Sequence, residues 1–334
     1  MASRRFRDQN QRMTPESPAE LSPIIIAHRG ASGHRPEHTL ESYALAIEMG
    51  ADYIEPDLVS TKDGVLVARH ENEIGSTTNA AERFPGRRTQ KVVDGVAVEG
   101  WFVEDFTLAE LRTLRARERL AFRSHAFDGQ FAIPTFDEVL ALAHRAGAQR
   151  GRVVGVYPEL KHPSYFVSIG LDMSPPLLDA LRAYGLGTRE SPVFVQCFEI
   201  ATLRALRAST PVRLVLLLSG NDVPYDRAVA GDLRTGTQLV SPESLKDIAH
   251  FADAVGVHSR MVVGGEPGDP ATLLVADAHA AGLQVHVWTL RPEPEFLAAR
   301  YAGDALAEVR ELTQLGVDGL FGDYPDQLVQ VLRR

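Results

Sequence analysis

Two histidines and three carboxylates have the types and spacing to carry a reaction. They are His28, followed by Arg29 and Gly30; Glu55 and Asp57, two residues apart; His70; and Glu159, two residues before Lys161. Residues two apart in a β-strand leave the same face, so Glu55 and Asp57 would project side by side. Carboxylates forced together repel, and one keeps its proton unless a cation compensates. Glu159 would add a third oxygen donor from a neighbouring strand. Three carboxylates with no thiolate beside them favour a single hard divalent cation, Mg²⁺ or Ca²⁺. Singly, each acid reads as a solvated strand end; together they read as a metal site.

His28 and His70 suit acid–base chemistry, one accepting a proton from a nucleophile and the other donating to a leaving group. Arg29 and Lys161 add positive charge. With a divalent ion, the three carboxylates and these two cations leave one net positive charge, which a singly charged phosphodiester would neutralise. Glu37, if it faces the site, lowers that balance by one.

These residues need elements to position them. β-branched runs alternate with helical patterns: strands are expected at Ile24–Ile26, Tyr53–Leu58, Val153–Glu159, Val193–Gln196, Arg213–Leu218, Ala254–Val257, Gln284–Trp288 and Val317–Phe321. Val65–Val67, after the turn Lys62-Asp63-Gly64, forms a hairpin with the second. Helices are expected over 39–49, 175–184, 199–208, 242–251, 270–281, 304–315 and from 325. Pro175, Pro270 and Pro325 fall in first turns, and Gly50, Gly185, Gly282 and Gly316 just past helix ends. Thr107 with Glu110, and Thr135 with Glu138, read as capping boxes. Eight βα units imply a closed (β/α)8 TIM barrel, an α/β fold over residues 23–334, rather than an open sheet. Residues 71–134 leave the repeat after the second strand, too long for an ordinary loop, and read as an insertion over the barrel mouth.

The active site of such a barrel lies at the carboxyl ends of its strands. His28, Glu55, Asp57, His70, Glu159, Lys161, Gln196 and Trp288 all fall there. His125, His144, His162, His250 and His279 read as structural, and His34 and His38 as mouth-loop residues without chemistry. His286 alternates with Trp288 on one strand face and could line the mouth; His258 is equally open.

The chain has 334 residues and 44% hydrophobic content, enough for a large core, which excludes a mainly disordered protein. With 35 Lys+Arg against 44 Asp+Glu the net charge is −9, which argues against a nucleic-acid partner. One cysteine, Cys197, excludes an internal disulfide and a thiolate zinc cluster. Membrane insertion is not expected, since no apolar run approaches about 18 residues. Residues 1–22 read as a loosely ordered arm without an apolar leader core, which points to the cytoplasm for the chain as written, or to export if a leader has been removed.

The segments His28-Arg29-Gly30-Ala31, Pro36-Glu37-His38-Thr39, Gly50 to Asp57, Thr61-Lys62-Asp63-Gly64 and His70 together resemble the glycerophosphodiester phosphodiesterases. Tyr157-Pro158-Glu159-Leu160-Lys161, Gln196-Cys197-Phe198 and Gly319 to Pro325 are similar to that family's later strand ends. The likeness runs from Ile24 onward. It implies a (β/α)8 barrel that hydrolyses deacylated phospholipids such as glycerophosphocholine to glycerol 3-phosphate and an alcohol. It implies His28 and His70 as the catalytic pair, Glu55, Asp57 and Glu159 as metal ligands, Arg29 and Lys161 as phosphate contacts, and Glu37 as an orienting acid. Gln196 and Trp288 complete the substrate contacts, with Trp288 offering either a cation–π face to choline or plain packing. His70 is followed by Glu71 where Asp is commoner, and Leu160 stands where Ile is commoner; both changes leave the chemistry in place. The long excursion looks most like the branch whose members are often exported and use Ca²⁺. Two alternatives stay open: a lyase that stops at a cyclic phosphate, its insertion aromatics (Phe84, Trp101, Phe102, Phe106, Phe122, Phe127, Phe131) forming a lipid-facing rim, and a non-catalytic phosphate- or metal-binding barrel.

Overall fold

The computed structural model describes residues 22–333. The expected N-terminal arm, save Ser22, lies outside the described residues. The first strand, Ile24–His28, pairs in parallel with the last, Gly319–Gly322, and with the second at Tyr53–Glu55. Parallel pairing then runs through Phe194–Cys197, Arg213–Leu218, Ala254–His258 and Gln284–Leu290 back to Gly319–Gly322. The ring closes through the second and third strands, both of which are interrupted. The second runs as Tyr53–Glu55 and Asp57–Ser60, the third as Gly155–Val156 and Glu159–Leu160. Pro56 and Pro158 cause the breaks, because proline cannot donate to the ladder. Their carbonyls still accept, from Glu159 N and Gln196 N at 2.9 Å each, so the barrel stays closed.

Two corrections follow for the expected boundaries. Val153 lies outside the third strand and is 70% exposed. The helix expected from Pro270 begins at Leu274, so Pro270 precedes it rather than occupying its first turn. Elsewhere the expected helices form within a few residues, among them Leu40–Met49, Ser174–Ala183, Ile200–Ser209, Pro242–Ile248, Ala305–Gln314 and Pro325–Leu332. Both expected capping boxes are present.

Side chains alternate inward and outward along each strand, which splits the core into two layers. Outward residues such as Ile25, Ile54, Val195, Leu216, Val255 and Leu320 pack against the helices. Inward residues Ile26, Tyr157, Phe194, Val215, Ala254 and Phe321 fill the barrel. One step further along the inward register come His28, Glu55, Glu159, Gln196, Trp288 and Asp323. The packed interior is therefore a floor, and the polar residues stand on it.

His286 belongs to that floor, not to the mouth that sequence left open for it. It is fully buried, and its Nδ1 lies 2.6 Å from the Tyr157 hydroxyl. Burial lowers its pKa to about 4, and nearby Arg213 reinforces the shift. The folded value lies below the unfolded one, near 6.5, so the unfolded chain binds the proton first. Stability contributed by neutral His286 is complete above pH 6.5 and declines as the pH falls towards 4, by about 3 kcal/mol in full. Denaturant unfolding at pH 7 and pH 4.5 should therefore show a smaller acid loss for His286→Gln than for the unsubstituted protein. Equal losses would mean that this imidazole is not held neutral.

Candidate active site

The first strand ends in a turn that aims several groups at one point. Arg29 has a φ of 59° and Gly30 a φ of 88°. A Cβ on Gly30 would lie 2.5 Å from the Ser42 hydroxyl, so the loop passes too close to the first helix for any other residue. The turn directs Arg29 N at Glu55 Oε2, 2.8 Å away, and its guanidinium at Glu37 Oε2, 3.0 Å away, and at Asp57 Oδ2, 3.4 Å away. Arg69, buried, donates to the carbonyls of Glu37 and His38 at 2.9 Å and pins the following loop.

Glu55, Asp57 and Glu159 converge as their strand register demands: each offers a carboxylate oxygen within 4.8 Å of the others, and all three are buried. Burial and mutual repulsion raise the pKa of Glu55 well above the usual carboxylate range. Burial raises Glu159 to about 8 despite the neighbouring Lys161, with Asp57 adding to the rise. Asp57 stays ionised against the cost of burial, because Lys161 and His38 face it. Among the described residues, the buried atoms Asp57 Oδ1 and Gln196 Oε1 have no hydrogen-bond partner. The donor set is all hard oxygen, crowded, and short of donors, so the trio fits a divalent cation.

His38 is not the bystander that sequence suggested. It is fully buried with Nε2 2.9 Å from Asp57 Oδ2 and Nδ1 2.7 Å from the Tyr43 hydroxyl, and so orients one member of the trio.

Two imidazoles border the same cavity of about 220 Å³, which Trp288, Phe198, Gln196 and Lys161 also line. His28 Nδ1 lies 2.6 Å from Asp323 Oδ1. The other Asp323 oxygen accepts from Arg123 and Arg291 at 2.6 Å each, which keep this buried acid ionised. His70 Nδ1 lies 2.8 Å from Glu71 Oε1, and its Nε2 lies 3.4 Å from Lys161 Nζ. Burial, with Arg29 alongside, lowers His28 to about 4. Burial and the charges of Arg29 and Lys161 likewise hold His70 below the ordinary imidazole range. Both rings are therefore neutral near pH 7, each with a carboxylate behind Nδ1.

Lys161 Nζ sits 2.9 Å from Glu159 Oε1, and Gln196 Nε2 donates to Glu55 Oε1 at 2.9 Å. Trp288 stands edge-on to Phe198 and His258, at 5.9 and 5.1 Å between ring centroids. Sequence missed Arg119, Arg123 and Arg291. Arg119, from the 71–134 segment, lines the cavity and donates to Glu37 Oε2 at 3.0 Å. Its charge offsets that of Glu37, so the net balance with a bound divalent ion returns to one positive. Asp323 had a legible signal, two residues beyond inward-facing Phe321. Arg119 and Arg123 had none.

Fold and site together define a barrel enzyme built to receive an anionic substrate beside a crowded oxygen cluster. Comparison with known proteins narrows this. Residues 28–327 match the model of the glycerophosphoryl diester phosphodiesterase family. The chain is 34% identical over 323 residues to glycerophosphodiester phosphodiesterase GDPD6 of Arabidopsis thaliana, covering 92% of this chain and 85% of that one. It is 31% identical to the glycerophosphodiester phosphodiesterase of Haemophilus influenzae, covering 93% and 90%. In fold it is similar to the glycerophosphodiester phosphodiesterase of Agrobacterium tumefaciens (TM-score 0.60, 22% identity, 92% and 100% covered). It is likewise similar to an Oleispira antarctica phosphodiesterase solved with the product sn-glycerol-3-phosphate (TM-score 0.63, 20% identity, 94% and 98% covered). The chain belongs to the glycerophosphoryl diester phosphodiesterase family and is a phosphoric diester hydrolase. Among the described residues, no helix is long and apolar enough to cross a membrane.

The raised pKa values of Glu55 and Glu159 give a direct expectation. At pH 7 the metal-free trio holds protons that a divalent ion must displace. Calorimetric titration with Ca²⁺ or Mg²⁺ should therefore show a binding enthalpy that changes with the ionisation enthalpy of the buffer, reporting proton release. A buffer-independent enthalpy would show that the trio is already fully ionised.

Proposed function

We propose that the protein hydrolyses glycerophosphodiesters such as glycerophosphocholine to sn-glycerol 3-phosphate and an alcohol, with His28 and His70 as the acid–base pair. The carrying observation is their pairing: two imidazoles border one cavity, each with Nδ1 committed to a carboxylate, which assigns the chemistry to Nε2; that of His70 lies 3.4 Å from Lys161 Nζ, a phosphate contact in this scheme. The product seen with the Oleispira antarctica phosphodiesterase supports the same reaction here. Glu55, Asp57 and Glu159 would hold one Ca²⁺ or Mg²⁺, which when bound polarises the phosphate ester and acidifies a neighbouring hydroxyl.

Arg29 and Lys161 bind the phosphate and stabilise charge that grows on it in the transition state. Glu37, bonded to Arg29 and Arg119, orients that pair. His28, neutral and backed by Asp323, takes the proton from the glycerol 2-hydroxyl as its oxygen attacks phosphorus. The phosphorus–oxygen bond to the alcohol breaks, and His70 supplies the proton that the alcohol oxygen needs. The negative phosphate beside His70, with Glu71 behind it, favours the protonated ring this step requires. Water then opens the cyclic phosphate with the roles reversed: His70 removes the water proton and His28 returns its own to the 2-oxygen. Gln196 orients Glu55, and Trp288 with Phe198 forms the apolar wall against the organic part of the substrate.

The lyase alternative needs an apolar rim. Of the seven insertion aromatics, Phe102 and Phe106 are fully buried, and only Phe122 is exposed. That favours a water-soluble diester over a lipid in a bilayer.

General acid–base help contributes roughly 10²–10⁴ in rate, so His28→Ala and His70→Ala should each lose at least about 100-fold in kcat on glycerophosphocholine with the fold intact. Near-normal turnover by either variant would remove that histidine from the scheme. EDTA should abolish hydrolysis, and Ca²⁺ or Mg²⁺ should restore it. Phosphorus NMR should show glycerol 3-phosphate as the end product; accumulation of a cyclic phosphate would instead establish a lyase.

A further inference from the structure

We infer that His162, clamped between Asp94 and Glu71, is a positioning residue for His70 and ties the hairpin Thr89–Gly100 to the acid–base machinery. The inference rests on the acid–base role proposed for His70. His162 Nδ1 lies 2.6 Å from Asp94 Oδ2, and its Nε2 lies 2.9 Å from Glu71 Oε2. The remaining Glu71 oxygen lies 2.8 Å from His70 Nδ1. The four side chains thus form one continuous hydrogen-bonded line from the hairpin tip to the cavity.

An ionised carboxylate only accepts, so an imidazole between two of them donates from both nitrogens and carries a charge. The flanking acids outweigh burial and raise the His162 pKa to about 9, in keeping with that state. A doubly donating His162 fixes Glu71 as an ionised acceptor with one orientation. Glu71 then holds the proton of His70 on Nδ1 and keeps Nε2 for the substrate, the tautomer control that a carboxylate exerts on a working histidine. The side chain of Glu71 is 48% exposed. Without a second anchor, water and rotamer freedom would compete for it.

The backbone shows that this contact is built at a cost. His162 has a φ of 49°, in the left-handed region, and it precedes Pro163, where an extended conformation is strongly preferred. Two charge-assisted hydrogen bonds offset that strain. Asp94 also has a φ of 49°, and with Gly95 at 79° it forms the two-residue hairpin turn. Turns of this hand favour Asp-Gly, so the tip presents its carboxylate without strain. Apolar packing at the tip comes from Val93, which is buried, while Val92 and Val96 are both 61% exposed, so the Asp94–His162 contact is a main tie between the tip and the site.

The test uses the metal-loaded protein with His162→Ala, Asp94→Ala and Glu71→Ala, and with His70→Ala as the reference. Partners behind a working ligand or base typically change activity by about 10–100-fold, so kcat on glycerophosphocholine should fall by that order while KM stays within about twofold. Nitrogen-15 NMR of His70 should report Nδ1–H in the unsubstituted protein and a mixture of tautomers in the variants. Asp94→Asn, which keeps an acceptor and loses the charge, should recover most of the Asp94→Ala loss. Asp94 is half-buried in a hairpin turn outside the barrel, its side chain 24% exposed, so Asp94→Ala and Asp94→Asn remain informative if His162→Ala proves unstable in thermal melts. Unchanged kcat and an unchanged His70 tautomer, or a change in KM alone, with His70→Ala inactive, would overturn the inference and leave the role of His70 standing. An active His70→Ala would instead overturn the role of His70 itself.

Discussion

Three buried carboxylates within a few ångströms of each other cannot all be charged without compensation, and the surrounding structure answers that constraint. Lys161 faces Glu159, Arg29 reaches Asp57 and Glu37, and His38 hydrogen-bonds Asp57 from behind. Even so, Glu55 and Glu159 remain reluctant to ionise. The protein cations come close to balance but leave a deficit at the centre of the trio, and a divalent ion suits that deficit in charge and in ligand type. With such an ion bound, the local balance would turn positive and would suit a singly charged phosphodiester, although the chain as a whole carries −9.

The barrel delivers these groups through its two-residue alternation. Ile26 and His28, Tyr157 and Glu159, Phe194 and Gln196, and Phe321 and Asp323 are successive inward positions on four strands. In each pair the first residue packs the interior and the second stands above it. Stable packing and chemistry thus share one register, and a slip of one residue would bury the acids among the helices. The interruptions at Pro56 and Pro158 fall beside Glu55, Asp57 and Glu159, where the second and third strands carry the oxygen cluster.

The two imidazoles are supported differently. Behind His28 stands Asp323, itself gripped by two guanidinium groups and sealed from water. Behind His70 stands Glu71, at the rim and steadied through His162 by the hairpin tip. The 71–134 segment therefore contributes at four points: Glu71 to His70, Arg119 to Glu37, Arg123 to Asp323, and Asp94 to His162. Its apolar residues Ile74, Phe102, Val103, Phe106 and Leu111 are buried, which leaves its polar side chains to complete the site.

The sequence alone determined the elements and the heart of the site. β-branched runs, capping residues and glycine stops are local signals, so strand and helix positions could be read with errors of a few residues, as at Val153 and Pro270. Strand alternation placed Glu55 beside Asp57 because that geometry needs only two neighbours. Tertiary structure decided what depends on chain closure. His38 and His286 look alike as letters, yet one braces an acid of the trio and the other is sealed beneath it against Tyr157. Arg119, Arg123 and Asp94 carry no periodicity, and only the path of the insertion brings them within hydrogen-bonding distance of residues far away in the chain. Side chains on strands inherit their direction from a repeating backbone, whereas contacts between loops are fixed only when the whole ring has formed.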